Sequence, residues 1–217
     1  MPRELSLDEL LGEKFDIKSA LFKLSRKELV KLINELASIL HKDDLIDVLS
    51  GEVPFGVTID AILDHADSEL QKKIFGEPRT EEELKVPIRH WLRERGFETR
   101  EEIPISGSIA DVVGYKKEFM STTLVAFELK CAKATKRDLD RGIRQLDDYL
   151  DGVDYAYFVV TPILLGKIGV KKLIDRLKKL RVGLLVANKE RVIATILEPK
   201  SSKHIKKEEY KAVLDWF

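Results

Sequence analysis

TLVAFELKC, residues 123–131, alternates its side chains as an extended strand does, so Glu128 and Lys130 share one face while Phe127 and Leu129 share the other. Two charges on one face of an apolar run can simply be the solvent side of an amphipathic strand. The preceding stretch points elsewhere. In SIADVVGY, residues 108–115, Asp111 likewise interrupts an apolar strand one short hairpin earlier, so two carboxylates can converge across paired strands. Neighbouring carboxylates repel unless a cation sits between them, and hard oxygen ligands on a rigid sheet suit Mg2+ or Mn2+.

Outward from this pair, EEIPI at 101–105 adds a third extended stretch, and the three read as an antiparallel run with short turns. A helix over 136–150 carries the stripe Leu139, Ile143, Leu146, Leu150 and leads into the apolar strand YAYFVVTP. Such a strand, helix, strand connection normally crosses right-handed to a parallel neighbour. A helix near 168–180, the strands VGLLVAN and RVIATIL, and a basic tail follow, with Trp216 expected to pack a C-terminal helix onto the domain. Upstream, Thr80 is positioned to cap a helix that runs to about Arg95 and closes at Gly96; Trp91 fits its core and Pro87 predicts a kink.

The pattern predicts an α/β domain over 77–217, a mixed central sheet flanked by helices. Gly76, Glu77 and Pro78 form a breaker, and no strand signal precedes it. SRKELVKLINELASIL, from Ser25, repeats Leu29, Leu32, Ile33, Leu36 and Leu40 near a helical period, with Ser25 as N-cap and Glu28 three residues on. Further helical stretches at 44–49 and 58–75 flank a turn region at 51–56. Residues 1–76 are thus predicted to form a small all-α N-terminal domain that selects a substrate or mediates a homodimer.

Composition narrows the function classes. The 217 residues balance 38 Lys and Arg against 38 Asp and Glu, so contact with nucleic acid must come from a local basic face. Charged residues make up 35% while the amides are Asn34, Gln71, Gln145 and Asn188 alone, a bias of proteins from thermophiles that makes Gln145 notable. No apolar run reaches the roughly 20 residues of a membrane span, and MPRELSLDELLGEKFD is charged where a signal peptide is apolar. A cytoplasmic protein without membrane contact is the expectation. The lone Cys131 and four scattered histidines offer no disulfide or zinc spacing, and His65, His90 and His204 have no partners at catalytic spacing. GKIGVKK lacks the ending of a phosphate loop, and the lysines of 171–181 read as a solvated helix face.

Two helices add candidates. From Glu81, the apolar residues Leu84, Ile88 and Leu92 follow at +3, +7 and +11, which puts Glu81 on the stripe facing the sheet and leaves Glu82 and Glu83 off it. A simple first-turn helix charge is the alternative. After Lys130, Arg137, Arg141, Gln145 and Tyr149 recur at i, i+4 spacing as a ridge that could meet phosphates. Ion pairs with Asp138 and Asp148 are the alternative for the arginines, and a place in the core for Tyr149.

The order Glu81 on a helix, Asp111 on a strand, Glu128-Leu129-Lys130 on the next strand, then Gln145-x-x-x-Tyr149 on a helix resembles the PD-(D/E)xK nuclease superfamily, across roughly 79–197. Ala110 stands where the motif's name has proline. EEELKVPIRHWLRERGFE and the Gln145 helix look closest to archaeal or bacterial branches, including the RecB-like nucleases. The resemblance implies a restriction-endonuclease-like fold and Mg2+-dependent (or Mn2+-dependent) hydrolysis of phosphodiester bonds, most simply in DNA for repair, recombination or restriction. It implies that Asp111, Glu128, the Leu129 carbonyl and Glu81 hold the metal, that Lys130 orients the attacking water, and that Gln145 with Arg141 or Arg144 steadies the phosphodiester. A nuclease scaffold that binds or assembles on nucleic acid without turnover is the rival, and RNA a further substrate.

Overall fold

The structure of the protein, a computed structural model, describes residues 24–37, 72, 73, 75–119 and 121–217. The chain divides into two compact units, Met1–Glu77 and Pro78–Phe217. In the first, helix α1 (Arg26–Ala37) begins as expected: Ser25 Oγ accepts from the Glu28 N–H, and the Glu28 carboxylate accepts from the Ser25 N–H at 2.8 Å. Lys73 adds an ion pair to Glu28 at 2.6 Å. The helices expected at 44–49 and over most of 58–75, and the turn at 51–56, lie outside the described residues, as does His65.

The second unit is an α/β layer structure. Helix α2 (Glu82–Arg93) precedes the meander β1 (Glu98–Ile105), β2 (Ser108–Lys117) and β3 (Thr122–Lys130). Helix α3 (Lys136–Tyr149) leads to β4 (Tyr155–Val160); α4 (Pro162–Ile168) and α5 (Val170–Leu180) lead to β5 (Gly183–Ala187); β6 (Val192–Leu197) and α6 (Lys207–Leu214) close the chain. The six strands lie in sequence order, antiparallel from β1 to β3, parallel from β3 to β5, and antiparallel again at β6. Both parallel joints are spanned by helices, because a tight turn cannot return a strand in its own direction. No helix among the described residues is long and apolar enough to cross a membrane.

The expected α2 stripe packs as its spacing requires: Leu84, Ile88 and Leu92 are buried against Val112, Val125, Phe127, Leu129 and Val159. Trp91 meets Phe127 and Tyr157 edge-on, at 6.2 and 5.9 Å between ring centres. On the opposite face α3 lies against β3 and β4, and Arg176 of α5 pairs with Asp140 of α3 at 2.8 Å. Alternation along β3 therefore sends Leu129 into one core and Glu128 and Lys130 toward α3.

Two boundaries and one docking contact differ from the sequence reading. Thr80 does not cap α2; Glu81 occupies the cap position without a side-chain hydrogen bond. The single helix expected near 168–180 is two, since Thr161 and Pro162 start α4 early and Gly169, at φ +82°, breaks it from α5. The C-terminal helix docks through buried Val213 and through Tyr210, whose hydroxyl bonds Asp154, with Phe217 stacked on Tyr115, while Trp216 stays half exposed. Phe217 thus takes the role expected of Trp216.

Candidate active site

Strand β2 is irregular where Asp111 stands. Its ladder with β3 ends at Val112 and Phe127, and its ladder with β1 pairs Glu101 with Val112 and Ile103 with Ala110 but skips the step between. The Leu129 N–H, turned toward β2, finds the Asp111 carboxylate at 2.7 Å as its acceptor. One Asp111 oxygen is thereby fixed by main chain, and the carboxylate is held beside Glu128.

Glu128 and Lys130 are both buried. The Lys130 ammonium lies 2.8 Å from Glu128 Oε1, 2.8 Å from the Leu129 carbonyl and 3.3 Å from Glu81 Oε2. Helix α2 supplies Glu81, which stays partly exposed at the rim. The second Glu128 oxygen accepts from the Tyr149 hydroxyl at 2.5 Å, and that hydroxyl also reaches the Ile109 carbonyl at 2.5 Å. The Glu128 carboxylate is thus held between Lys130 of β3 and Tyr149 of α3, which in turn reach Glu81 and the Ile109 carbonyl of β2. Gly142 lets α3 come this close: a Cβ there would stand 3.2 Å from Lys130 Cε and 3.3 Å from Glu128 Cγ.

The electrostatics follow from burial. Asp111 is pushed up to about 7, first by burial and then by the Glu128 charge, against the pull of the Leu129 N–H and Lys130. Glu128 is raised as well, with burial outweighing Lys130 and Tyr149. Burial opposes the Lys130 charge, but Glu128, Glu81 and Asp111 more than offset it and hold the ammonium above its ordinary range. Tyr149 is raised by burial and by the Glu128 charge, so it remains a protonated donor.

Asp111, Glu128, Leu129, Lys130 and Glu81 are thus brought together as the sequence reading requires. Gln145 is half-buried on α3 and lines a groove of about 410 Å³ with Arg141, Arg144, Asp148 and the 107–109 turn. Among the described residues Gln145 makes no side-chain hydrogen bond, and Arg137, Arg141 and Arg144 form no ion pair; Asp138 caps α3 with Thr135 and Asp148 takes the Ser108 hydroxyl. Arg137 is exposed but lies outside the groove. Tyr149 is a correction. It is wholly buried and turned to Glu128, so it offers no surface to a nucleic acid.

The donor set fits a hard divalent cation, being all oxygen and holding two adjoining carboxylates whose pKa values are pushed up. Among the described residues no three His, Cys, Asp or Glu side chains form a ready metal cluster. The cation these oxygens meet in the structure is the Lys130 ammonium. The sequence reading allowed Tyr149 a place in the core but did not foresee its bond to Glu128 or the role of Gly142. A glycine inside an amphipathic helix, where it costs about 1 kcal/mol relative to alanine, was the available signal. The chain was compared with family models, curated proteins and solved structures, and none matches it.

Proposed function

We propose that this chain is a Mg2+- or Mn2+-dependent nuclease of the PD-(D/E)xK type, with a restriction-endonuclease-like domain that hydrolyses phosphodiester bonds in DNA. The observation that carries it is the convergence of Asp111, Glu128, Lys130 and Glu81 on one end of β3, beside a groove walled by unpaired Arg141 and Arg144. Asp111, Glu128 and the Leu129 carbonyl would hold the ion, with Glu81 at the rim. When bound, the ion supplies charge neutralisation at the phosphate and a more acidic water. Lys130, held charged by its acids, orients that water and screens the developing negative charge; it is too well satisfied to act as a free base. Tyr149 keeps Glu128 in place, and Arg141, Arg144 and Gln145 grip the strand.

Asp111→Ala, Glu128→Ala and Lys130→Ala each abolish metal-dependent cleavage while circular dichroism stays that of the folded chain. Normal cleavage by the Glu128 variant would sink the assignment. Single-stranded, duplex, flapped, branched and methylated DNA, and RNA, each with and without metal, identify the substrate.

One observation favours a second reading, a nucleic-acid-binding protein without turnover: Lys130 already occupies one Glu128 oxygen and the Leu129 carbonyl, two of the oxygens that a metal would take. A divalent-metal titration separates the two, since a binding module keeps full DNA affinity and yields no product.

A further inference from the structure

Beside the site stand a buried lysine and a strained glutamate that the chemistry above does not use. Lys85, one turn beyond Glu81 on α2, is buried, and its ammonium lies 2.7 Å from Glu82, 3.0 Å from Glu102 and 3.6 Å from Glu101. Glu102 holds φ +57°, a left-handed conformation that residues with a side chain seldom adopt and glycine takes freely. By register it stands directly across from Asp111, at the step the β1–β2 ladder skips. Strain of this kind persists only where the surroundings over-determine it, and Lys85 is the partner in the structure that holds the Glu102 side chain.

The two residues also bear on Glu81. The start of α2 has no side-chain cap, and the Arg79 N–H, bonded to Glu83 at 3.0 Å, ties it only to its own approach segment. Besides the 3.3 Å pair of Glu81 itself with Lys130 on β3, ties from α2 to the sheet come from Lys85 and, a turn later, from Arg89 to Glu101 at 2.7 Å. Lys85 is the nearer of these to Glu81.

We infer that Lys85 and Glu102 are positioning residues of the proposed metal centre: their ion pair joins the first turns of α2 to β1 opposite Asp111 and so fixes Glu81 and Asp111 relative to each other. The inference rests on the proposed metal-dependent reading. Supporting partners of metal ligands govern affinity as well as rate, so binding can be read without turnover.

The test titrates MnCl2 into the full chain by calorimetry at one pH near neutrality, with thermal midpoints measured alongside. Glu102→Gly, freed of strain, melts at or above the wild type yet binds Mn2+ about 10-fold more weakly, whereas Glu102→Asp, which keeps the carboxylate, stays within about 3-fold. Lys85→Met weakens binding at least as much as Glu102→Gly. Unchanged affinity in Glu102→Gly overturns the inference, and so does an affinity lost only together with thermal stability, which would mark a merely structural pair. Failure of the wild type to take up Mn2+ removes the metal centre itself and the inference with it; wild-type uptake with an unaffected Glu102→Gly removes the inference alone.

Discussion

Lys130 and Lys85 are both buried ammonium groups among acids, but the acids around them live in different solvents. Glu128, the main partner of Lys130, has a side chain only 3% exposed, and Asp111 beside it is partly buried. Glu82 and Glu102, the nearer partners of Lys85, are 67% and 73% exposed, and Glu101, at 3.6 Å, is 28% exposed. Exposed carboxylates can turn to water when their lysine is lost, whereas Glu128 cannot. Around Lys130 the carboxylates are pushed up and remain short of positive charge, which is the condition under which a second cation binds. Identical residue types thus sit in an interior, charge-starved cluster in one place and in a solvated one in the other.

Replacing each lysine by methionine should expose this difference most sharply. Lys130→Met should destabilise the fold by about 2–4 kcal/mol near neutral pH, because it strands Glu128 in the interior, and on the proposed reading it also abolishes cleavage. Lys85→Met costs about 1 kcal/mol, since its acids stay solvated. The gap closes on acidification. A folded-state pKa raised above the unfolded one, as for Glu128, contributes stability that is complete below the unfolded value and is lost as pH rises through the folded value. Chemical denaturation at mildly acidic and mildly alkaline pH checks this; equal losses for the two variants at every pH would erase the contrast.

Asp111 gives the next effect, of opposite sign. Its carboxyl titrates near 3.8 unfolded and about 7 folded, so the wild type loses stability as pH rises between those values. Asp111→Asn removes that loss and keeps an oxygen for the Leu129 N–H. The variant should therefore become more stable than the wild type by on the order of 1–3 kcal/mol above neutrality and equal to it near pH 4, and on the proposed reading it is inactive in cleavage. Urea midpoints across pH measure it. A variant less stable at every pH would show that Asp111 braces the sheet and bears no excess charge.

Much of this was legible in the chain, and the parts that were not share a cause. Alternation along 123–131 places Glu128 with Lys130, and the spacing from Glu81 puts α2 on the correct side. What alternation cannot show is register: the break of β2 at Asp111 and the left-handed Glu102 exist only once three strands pair. The ridge Arg137, Arg141, Gln145, Tyr149 misled for a geometric reason. Each i, i+4 step advances about 40° around a helix of 3.6 residues per turn, so three steps carry the line about a third of a turn. It begins at exposed Arg137 and ends in the core at Tyr149.

That drift also ranks the arginines, which complete the contrast between the lysines. Lys130 and Lys85 are committed to carboxylates, but Arg137, Arg141 and Arg144 have no ion pair among the described residues, and their charge is open to phosphate. Arg141 and Arg144 wall the groove beside the 107–109 turn, and Arg137 lies a turn before it. On the proposed reading each phosphate neutralised releases counterions, so Arg144→Ala should lower the slope of log K against log salt by about 0.9 and weaken DNA binding severalfold at low salt. Arg137→Ala, lacking a groove contact, should move the slope by much less. Fluorescence anisotropy over a salt series, in a cleavage-dead Lys130→Ala background, reads both. Equal slopes for the two variants would mean that DNA lies along the whole exposed face of α3 and does not enter the groove.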